Sequence, residues 1–233
     1  MLRNFIFSLF FFAGIIIISI IFLPSFFLPK QVVLFGGKLM GHWTGFCLRI
    51  FLSTKIIIKG TENIIRDEKF FIAASHQSMF ETFFLQTLFN SPVFILKKEL
   101  LLIPLFGWYL KKIGSISIKR GQITKDNLGF YDEISSVVKS SNRPLIIFPQ
   151  GTRVLPNERP PFKKGASRIY EKLKIACQPV AINSGYVWPK SGQKISNKTI
   201  TISIMPRIGN NFDKEMFLKT LEDKIYSELD LIN

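Results

Sequence analysis

The sequence predicts an α/β protein: a layered domain with a largely parallel, mixed sheet flanked by helices, preceded by hydrophobic helices that anchor it to a membrane. From residue 53 onward, short segments rich in Ile, Val and Phe alternate with helical stretches. Such alternation indicates βαβ units and therefore a largely parallel sheet. Residues 4–29, by contrast, contain no charged side chain. We therefore expect an N-terminal anchoring segment, residues 1–52, and an α/β domain, residues 53–233.

The N-terminal segment is long and apolar enough to anchor the protein. About 20 helical residues cross a hydrocarbon core of roughly 30 Å, and the uncharged run has 26 residues. No small-residue cleavage site closes the run, which favours an anchor over a signal peptide. Pro24 and Pro29 are expected to end the helix. Residues 32–52 are also apolar, and they could lie in the interface as an amphipathic helix or re-enter the membrane.

Charge and composition together indicate a lipid surface as the partner. Lys and Arg number 31 against 16 Asp and Glu, a net charge of +15, which suits nucleic acids or anionic lipids. A hydrophobic fraction of 47% with 24 Phe is unusual for a nucleic-acid-binding protein, and the sequence has neither zinc-finger spacing nor an RRM-type aromatic box. We expect a membrane partner and no nucleic acid. Two cysteines and two histidines, without a zinc motif, predict no metal and no cofactor.

The predicted strands are short, rich in β-branched and aromatic residues, and bounded by Gly, Pro, Asn or Ser. They are residues 55–60, 70–75, 93–96, 115–118, 144–149, 178–182 and 199–205. The predicted helices between and after them are residues 79–89, 99–112, 125–140, 163–175 and 213–230. In such sheets active sites gather where the strands end and loops begin. We therefore expect catalytic and substrate-binding residues in the segments that follow the strands.

The segment AASHQSMFE, residues 73–81, follows the second predicted strand and has three interpretations. Ser78 and Glu81 form an S-x-x-E capping box, in which the carboxylate reaches back to the serine amide. Ser78 could be a nucleophile, but the G-x-S-x-G elbow is missing. Alternatively, His76 folds back over the first helical turn, where Glu81 holds its imidazole ready to accept a proton. The sequence disfavours the serine nucleophile and leaves the cap and the histidine base open.

The segment PLIIFPQGTRV, residues 144–154, offers an anion site after the fifth predicted strand. Gly151 in a strand-to-loop turn lets backbone amides approach an anion, Thr152 adds a hydroxyl, and Arg153 can donate two hydrogen bonds to phosphate. The alternative is an ordinary turn in which Arg153 contacts only water. The P-loop pattern is absent, so nucleotide binding has no support.

A second basic turn ends the fourth predicted strand, in GSISIKRG, residues 114–121. Lys119 and Arg120 could complete a phosphate clamp, although charges at the end of an edge strand are often only solvated.

Together these segments resemble the glycerolipid acyltransferase family, whose bacterial members include 1-acyl-sn-glycerol-3-phosphate acyltransferases. The four blocks of that family, H-x-x-x-x-D, G-x-I-x-I-D-R, F-P-E-G-T-R and V-P-V-A-I, are similar to HQSMFE, GSISIKR, FPQGTR and QPVAI in this chain. Glu81, Lys119 and Gln150 stand where the family has Asp, Asp and Glu. The resemblance covers roughly residues 55–205, and it implies a glycerolipid-acyltransferase-like fold.

The resemblance also implies an activity. A membrane-bound acyltransferase would transfer a fatty acyl group from acyl-CoA or acyl carrier protein to the sn-2 hydroxyl of 1-acyl-sn-glycerol 3-phosphate, giving phosphatidic acid. The domain would lie on the cytoplasmic side of a bacterial inner membrane. His76 would be the general base and Glu81 would orient it. The implied substrate-binding residues are Lys97, Arg120, Gly151, Thr152 and Arg153.

Two other functions stay open at this point. The departures at Lys119 and Gln150 change the phosphate region, so the acceptor could be another lysolipid, such as lyso-ornithine lipid. A non-enzymatic, basic lipid-binding protein could use the same cleft without chemistry. His76 separates the two classes, because a pure binder has no need of a base in its cleft.

Overall fold

The computed structural model describes residues 2–118 and 129–233. The strands are β1 (Lys55–Lys59), β2 (Phe70–Ala74), β3 (Val93–Lys97), β4 (Ile116–Ile118), β5 (Leu145–Ile147), β6 (Ala176–Ile182) and β7 (Thr199–Ile204). The α-helices are α1 (Leu2–Ile21), α2 (Lys30–Leu52), α3 (Phe80–Leu88), α4 (Phe106–Lys112), α5 (Phe130–Ser140), α6 (Gly165–Leu173) and α7 (Lys214–Ile232). Short 3-10 helices cover Leu23–Phe27, Thr61–Asn63, Lys98–Leu102 and Ser184–Tyr186.

The strands form one mixed sheet in the order β1–β7–β6–β2–β5–β3–β4. Neighbouring strands pair in parallel throughout, except β6 and β7, which are antiparallel. The predicted largely parallel, mixed sheet is therefore confirmed, and each predicted strand is present with bounds that differ by at most two residues. All seven residues of β6 are buried, as expected for a central strand covered on both faces.

Side-chain alternation along the strands divides the core between the two faces of the sheet. In β2, Ile72 and Ala74 pack with the helices α1, α2 and α3, whereas Phe71 and Ala73 pack with α5, α6 and α7. Successive side chains in a strand point to opposite faces, so one apolar run supplies both layers. The result is a sheet covered by helices on both sides.

One helix prediction was wrong. Residues 99–112, predicted as a single helix, form a 3-10 helix, a turn and then α4. Pro104 has no amide hydrogen and disfavours helical geometry in the residue before it, and Leu105 has a positive φ of 61°. Gly107 allows the Leu101 carbonyl to approach closely, since a Cβ there would lie 2.2 Å from that oxygen. The predicted helix 125–140 is described only from residue 129, and α5 begins at Phe130.

Helix α4 is held in place by a partly buried arginine that precedes β5. Arg143 donates to the carbonyl oxygens of Ser91 (2.6 Å), Pro92 (3.2 Å) and Ile113 (2.6 Å). Burial lowers the pKa of the Arg143 guanidinium to about 10, which leaves it protonated at neutral pH. The three bonds tie the residue that follows α4 to the start of β3.

The N-terminal helices pack against the domain. Arg3 donates to the Phe51 carbonyl (3.1 Å) and the Ser53 hydroxyl (2.6 Å), and the Tyr109 hydroxyl donates to the Ser19 carbonyl (2.6 Å). Helix α1 is therefore fastened near both ends. By length and composition it is apolar enough to cross a membrane, and most of its apolar stretch is not buried in the protein.

Glycines on α2 set how closely this helix approaches α3. At Gly41 a Cβ would lie 2.6 Å from the Phe83 carbonyl oxygen, and at Gly45 it would lie 3.0 Å from the Phe84 ring. Such distances leave no room for a side chain at Gly41 unless the two backbones separate. The pair of helices forms one wall of the cavity described below.

We expect Gly41→Ala to lower the free energy of unfolding by about 1–3 kcal/mol, because a methyl group there overpacks the α2–α3 contact. Chemical denaturation of the detergent-solubilised protein measures the change. Gly165→Ala is the matched control: its Cβ would meet no atom within 4 Å, and the helix gains about 0.5–1 kcal/mol from the lower chain entropy of alanine. Equal stability of the two variants would contradict the close approach of α2 to α3.

Candidate active site

The site lies at the carboxyl edge of the three adjacent strands β6, β2 and β5. His76 follows β2, the turn FPQGTR follows β5, and Ser184 follows β6. Two hydrogen bonds join the first two loops. The His76 amide donates to Gln150 Oε1 (2.7 Å), and the Val154 amide donates to the His76 carbonyl (2.9 Å). Parallel neighbours deliver their following loops to one edge of the sheet, so three distant stretches of sequence meet here.

His76 and Glu81 form a contact across the start of α3. Helix α3 begins at Phe80, which leaves His76 in the preceding loop. The imidazole folds back so that its Nδ1 lies 3.3 Å from Glu81 Oε2. The Glu81 side chain is fully buried, and 14% of the His76 side chain is exposed. The carboxylate is thus a buried partner for an accessible histidine.

The same carboxylate also caps the helix. Its Oε2 accepts the Ser78 amide (3.0 Å), and its Oε1 is 3.4 Å from the Gln77 amide and accepts the Ser184 hydroxyl. Glu81 therefore makes both contacts that the sequence had presented as alternatives. Burying a carboxylate is costly unless hydrogen-bond donors replace water around it. The amino terminus of α3 adds a favourable dipole.

Ser78 does not have the geometry of a nucleophile. Its side chain is buried, and its hydroxyl accepts the Phe80 amide (2.9 Å). A nucleophilic serine needs an accessible hydroxyl and a base within hydrogen-bonding distance. Ser78 is therefore part of the turn that starts α3.

The imidazole of His76 is positioned by stacking as well. Its ring lies parallel to the Phe148 ring, with centroids 4.0 Å apart and planes 17° apart. With Nδ1 directed at Glu81, the second ring nitrogen is the one left for a bound molecule. Such a division of the two nitrogens is the usual arrangement of a histidine that exchanges a proton.

A cavity of about 510 Å³ adjoins His76, within the size range of small-molecule sites. Its apolar lining comes from the N-terminal helix α2 and from α3, β3 and α4, and includes Val33, Met40, Phe83, Phe94, Tyr109 and Leu110. Besides His76, its polar lining is Thr82 and Gln86 of α3 and Lys97, Thr152, Arg153 and Lys190. The apolar residues are mostly buried and the polar ones are at least partly exposed. The cavity thus has an apolar interior and a cationic rim.

Most of the predicted site residues lie at this cavity. Lys97, Thr152 and Arg153 line it together with His76. Gly151 lies in the turn after β5 with a φ of +74°, and its amide donates to the Phe148 carbonyl (2.9 Å). Its Cβ would come within 3.1 Å of the Lys163 side chain. Arg120 and Lys119 lie outside the described residues.

Sequence reasoning missed other residues of the site. Ser184 could have been found, because it lies two positions after the apolar strand of the fourth block and strand ends collect functional side chains. Lys190 lines the cavity eight positions after β6 ends, and no motif marks it. Phe148 is part of a quoted block, but its stacking on His76 is visible only in three dimensions.

The fold and this site define an α/β protein of the acyltransferase type. A family model described as Acyltransferase matches residues 55–183, which is 129 of the 233 residues. The 1-acyl-sn-glycerol-3-phosphate acyltransferase of Pseudomonas aeruginosa is 32% identical over 168 residues, 71% of this chain and 65% of that protein. The protein of the same name from Helicobacter pylori is 30% identical over 162 residues, 67% of each chain.

The chain belongs to the Acyltransferase family. It spans slightly less than two thirds of the Pseudomonas relative. The crystal structure of the 1-acyl-sn-glycerophosphate acyltransferase from Thermotoga maritima matches with a TM-score of 0.82, covering 99% of this chain and 96% of that one. The two chains are 22% identical, so this likeness shows that they share a fold.

We expect Ser184→Ala to lower the free energy of unfolding by about 1–3 kcal/mol, because the buried Glu81 carboxylate loses a hydrogen-bond donor that water cannot easily replace. Ser227→Ala, at an exposed position of α7, is the control and should change stability by no more than about 0.5 kcal/mol. Chemical denaturation in detergent compares the two. If both variants match the native protein, the Ser184 hydroxyl does not stabilise the carboxylate.

Proposed function

We propose that this protein transfers a fatty acyl group from an acyl thioester to the sn-2 hydroxyl of 1-acyl-sn-glycerol 3-phosphate, which gives phosphatidic acid. The observation that carries the proposal is the pair of His76 and buried Glu81 beside a cavity with an apolar interior and a cationic rim. The names of the Pseudomonas and Helicobacter relatives support the same acceptor.

In the proposed reaction His76 acts as general base. The sn-2 hydroxyl gives its proton to the free imidazole nitrogen while its oxygen attacks the thioester carbonyl. The negative charge of Glu81, 3.3 Å from Nδ1, stabilises the imidazolium that forms. A carbon–oxygen bond replaces the carbon–sulfur bond, and the departing thiolate takes the proton from the imidazolium. The enzyme carries no acyl group at any stage, which agrees with the burial of Ser78.

The cationic rim is the proposed site for the phosphate of the acceptor. Arg153 and Thr152 come from the turn after β5, and Lys97 comes from the end of β3. An arginine can donate two parallel hydrogen bonds to phosphate, and such charge-assisted bonds are the strong ones. Lys97 is the candidate for stabilising the negative charge that develops on the carbonyl oxygen. Arg120 remains a predicted phosphate ligand.

The apolar interior of the cavity is the proposed site for an acyl chain. Phe83, Phe94 and Met40 line it and are buried within the protein, so a hydrocarbon chain there would be removed from water. The donor, acyl-CoA or acyl carrier protein, would present its thioester at His76. No cofactor takes part in this scheme.

We further propose that residues 1–52 hold the domain against the cytoplasmic face of a bacterial inner membrane. Because α1 is fastened to the domain through both Arg3 and Ser19, it cannot cross a bilayer while it stays docked. An interfacial position suits its exposed side chains, among them Phe12, Ile16 and Ile21. This position would bring the cavity, which α2 partly lines, next to the lipid.

The two alternatives fit less well. A protein that only binds lipid has no use for a buried carboxylate beside an accessible histidine, since burial of that charge is costly. Another lysolipid acceptor keeps the same chemistry and differs only at the rim. An assay of the purified protein with labelled acyl donor and a panel of lysolipids decides between them. Product with lysophosphatidic acid is expected, whereas binding without turnover would leave only the binding function.

The role of Glu81 can be tested apart from its role as a cap. A capping box accepts Gln in place of Glu, so Glu81→Gln should change the melting temperature little. The neutral amide stabilises an imidazolium poorly, so we expect kcat to fall on the order of 10²–10³-fold. Glu81→Asp should retain substantial activity. His76→Ala should fold and be nearly inactive.

The control for Glu81→Gln is Glu215→Gln, which changes an exposed glutamate in the first turn of α7 and should leave kcat unchanged. A Glu81→Gln enzyme that works at the native rate with an unaltered melting temperature would show that Glu81 is only a cap.

Arg153→Ala is expected to raise the KM for the acceptor about tenfold to a hundredfold, because a charge-assisted hydrogen bond is worth about 1.5–3 kcal/mol. Arg153→Lys should recover only part of the loss, since an ammonium group lacks the planar pair of donors. Steady-state kinetics measure both. Arg168→Ala, at an exposed position of α6, is the control. A native KM in Arg153→Ala would remove this residue from the phosphate site.

A further inference from the structure

The chain between β3 and the first turn of α4 exposes large apolar side chains to solvent. Leu102 is 80% exposed, Trp108 is 54% exposed, and Ile103 is also exposed. We call these three residues the α4 patch. Single exposed apolar side chains are ordinary, but several together on a folded surface mark a contact site.

The α4 patch is held in a defined conformation. The Gly107 amide donates to the Ile103 carbonyl (2.8 Å), and the Leu101 carbonyl approaches Gly107 so closely that no side chain fits there. Leu105 has a positive φ of 61°, which is unfavourable for leucine. The apolar side chains are therefore presented outward by a turn that several contacts hold in place.

The α4 patch continues the exposed apolar surface of the N-terminal helices. The Trp108 ring meets the Phe26 ring edge to face, with centroids 5.9 Å apart, and Phe26 also stacks on Tyr109 at 4.8 Å. Lys112 donates to the Phe26 carbonyl (2.6 Å). Next to Phe26 in the turn between α1 and α2, Phe27 is almost completely exposed. The α4 patch and the exposed apolar surface of the N-terminal helices therefore form one continuous surface.

The inner side of the same stretch of chain lines the cavity. Leu100, Phe106 and Leu110 contribute to the cavity wall, while Leu102 and Trp108 face outward. At this place a single layer of chain separates the cavity from the molecular surface.

The charges beside the α4 patch are mostly positive. Lys111 and Lys30 are exposed, and neither forms an ion pair within residues 2–118 and 129–233. Glu99 is the one acidic side chain of residues 97–112. An anionic lipid surface attracts such lysines, and tryptophan favours the interfacial layer of a bilayer. This charge pattern points to lipid as the occupant.

We propose that the α4 patch is a second membrane-contacting surface, which enters the interfacial layer of an anionic bilayer beside the turn between α1 and α2. Two elements far apart in the sequence then hold the domain against the lipid, and the thin wall of the cavity faces the bilayer. The proposal goes beyond acyl transfer, because it concerns where the protein touches lipid and not the reaction at His76.

A fluorescent probe at Leu102 tests the proposal. The native cysteines Cys47 and Cys177 are both buried, so a thiol-reactive nitrobenzoxadiazole label attaches to an introduced cysteine. Leu102→Cys is compared with Leu231→Cys, whose leucine is 78% exposed on α7 and serves as the matched control. The full-length protein is placed on vesicles of phosphatidylglycerol and phosphatidylethanolamine, and each label is quenched by spin-labelled lipid or by aqueous iodide.

We expect spin-labelled lipid to quench the probe at position 102 at least twofold more than the probe at 231, and iodide to show the opposite preference. Equal quenching at both positions would overturn the proposal. Protection of position 102 from both quenchers would also overturn it and would instead indicate a protein, or a second copy of this chain, on the patch. Neither quenching measurement uses enzyme activity, so a failure of the proposed reaction would leave this result readable.

A charge substitution gives a second measurement. Leu102→Glu should weaken binding to the same vesicles about tenfold in a flotation assay, because a carboxylate is disfavoured in the interface. Leu231→Glu should bind like the native protein. Native binding of Leu102→Glu would overturn the proposal.

Discussion

The site depends on one buried charge, the Glu81 carboxylate. Burying an ionised carboxylate is costly unless several donors surround it. Here the Ser78 amide, the Ser184 hydroxyl and His76 do so, from two different strand ends. The first turn of α3, the loop after β2 and the loop after β6 must therefore all be in place for the carboxylate to be tolerated. The same carboxylate thus joins these three segments and orients His76.

A second constraint is the close packing of the N-terminal helices on the domain. Gly41 lets α2 approach α3 at the Phe83 carbonyl, and residues of both helices then line the cavity next to His76. Because α2 belongs to the segment proposed to lie on the membrane and also forms a wall of the cavity, the proposed membrane attachment and the site share one helix. Glycines in a helix lower its intrinsic stability, which tertiary packing offsets here.

The charge distribution agrees with the proposed substrate and the proposed lipid surface, which are both amphiphilic. Cationic side chains lie at the exposed rim of the cavity, and apolar side chains lie inside it or on the exposed surface proposed to contact lipid. The net charge of +15 and the high apolar content are both expected of a protein that acts on anionic lipid, which is the proposed function. The many apolar side chains are therefore divided between the core, the cavity lining and the exposed surface.

The sequence by itself determined the fold class, the order of strands and helices along the chain, and the resemblance to the family, because short apolar runs bounded by turn residues and spaced motifs are local properties. It also identified His76 and Glu81 as a possible catalytic pair. Only the tertiary structure decided that Glu81 both caps α3 and contacts the imidazole, and that Ser184 completes its environment. The sequence did not predict that the helix expected over residues 99–112 is interrupted near Pro104 and Gly107, because the apolar residues there resemble a helical pattern. Contacts between residues more than a hundred positions apart leave no local pattern in the chain, so only folding reveals them.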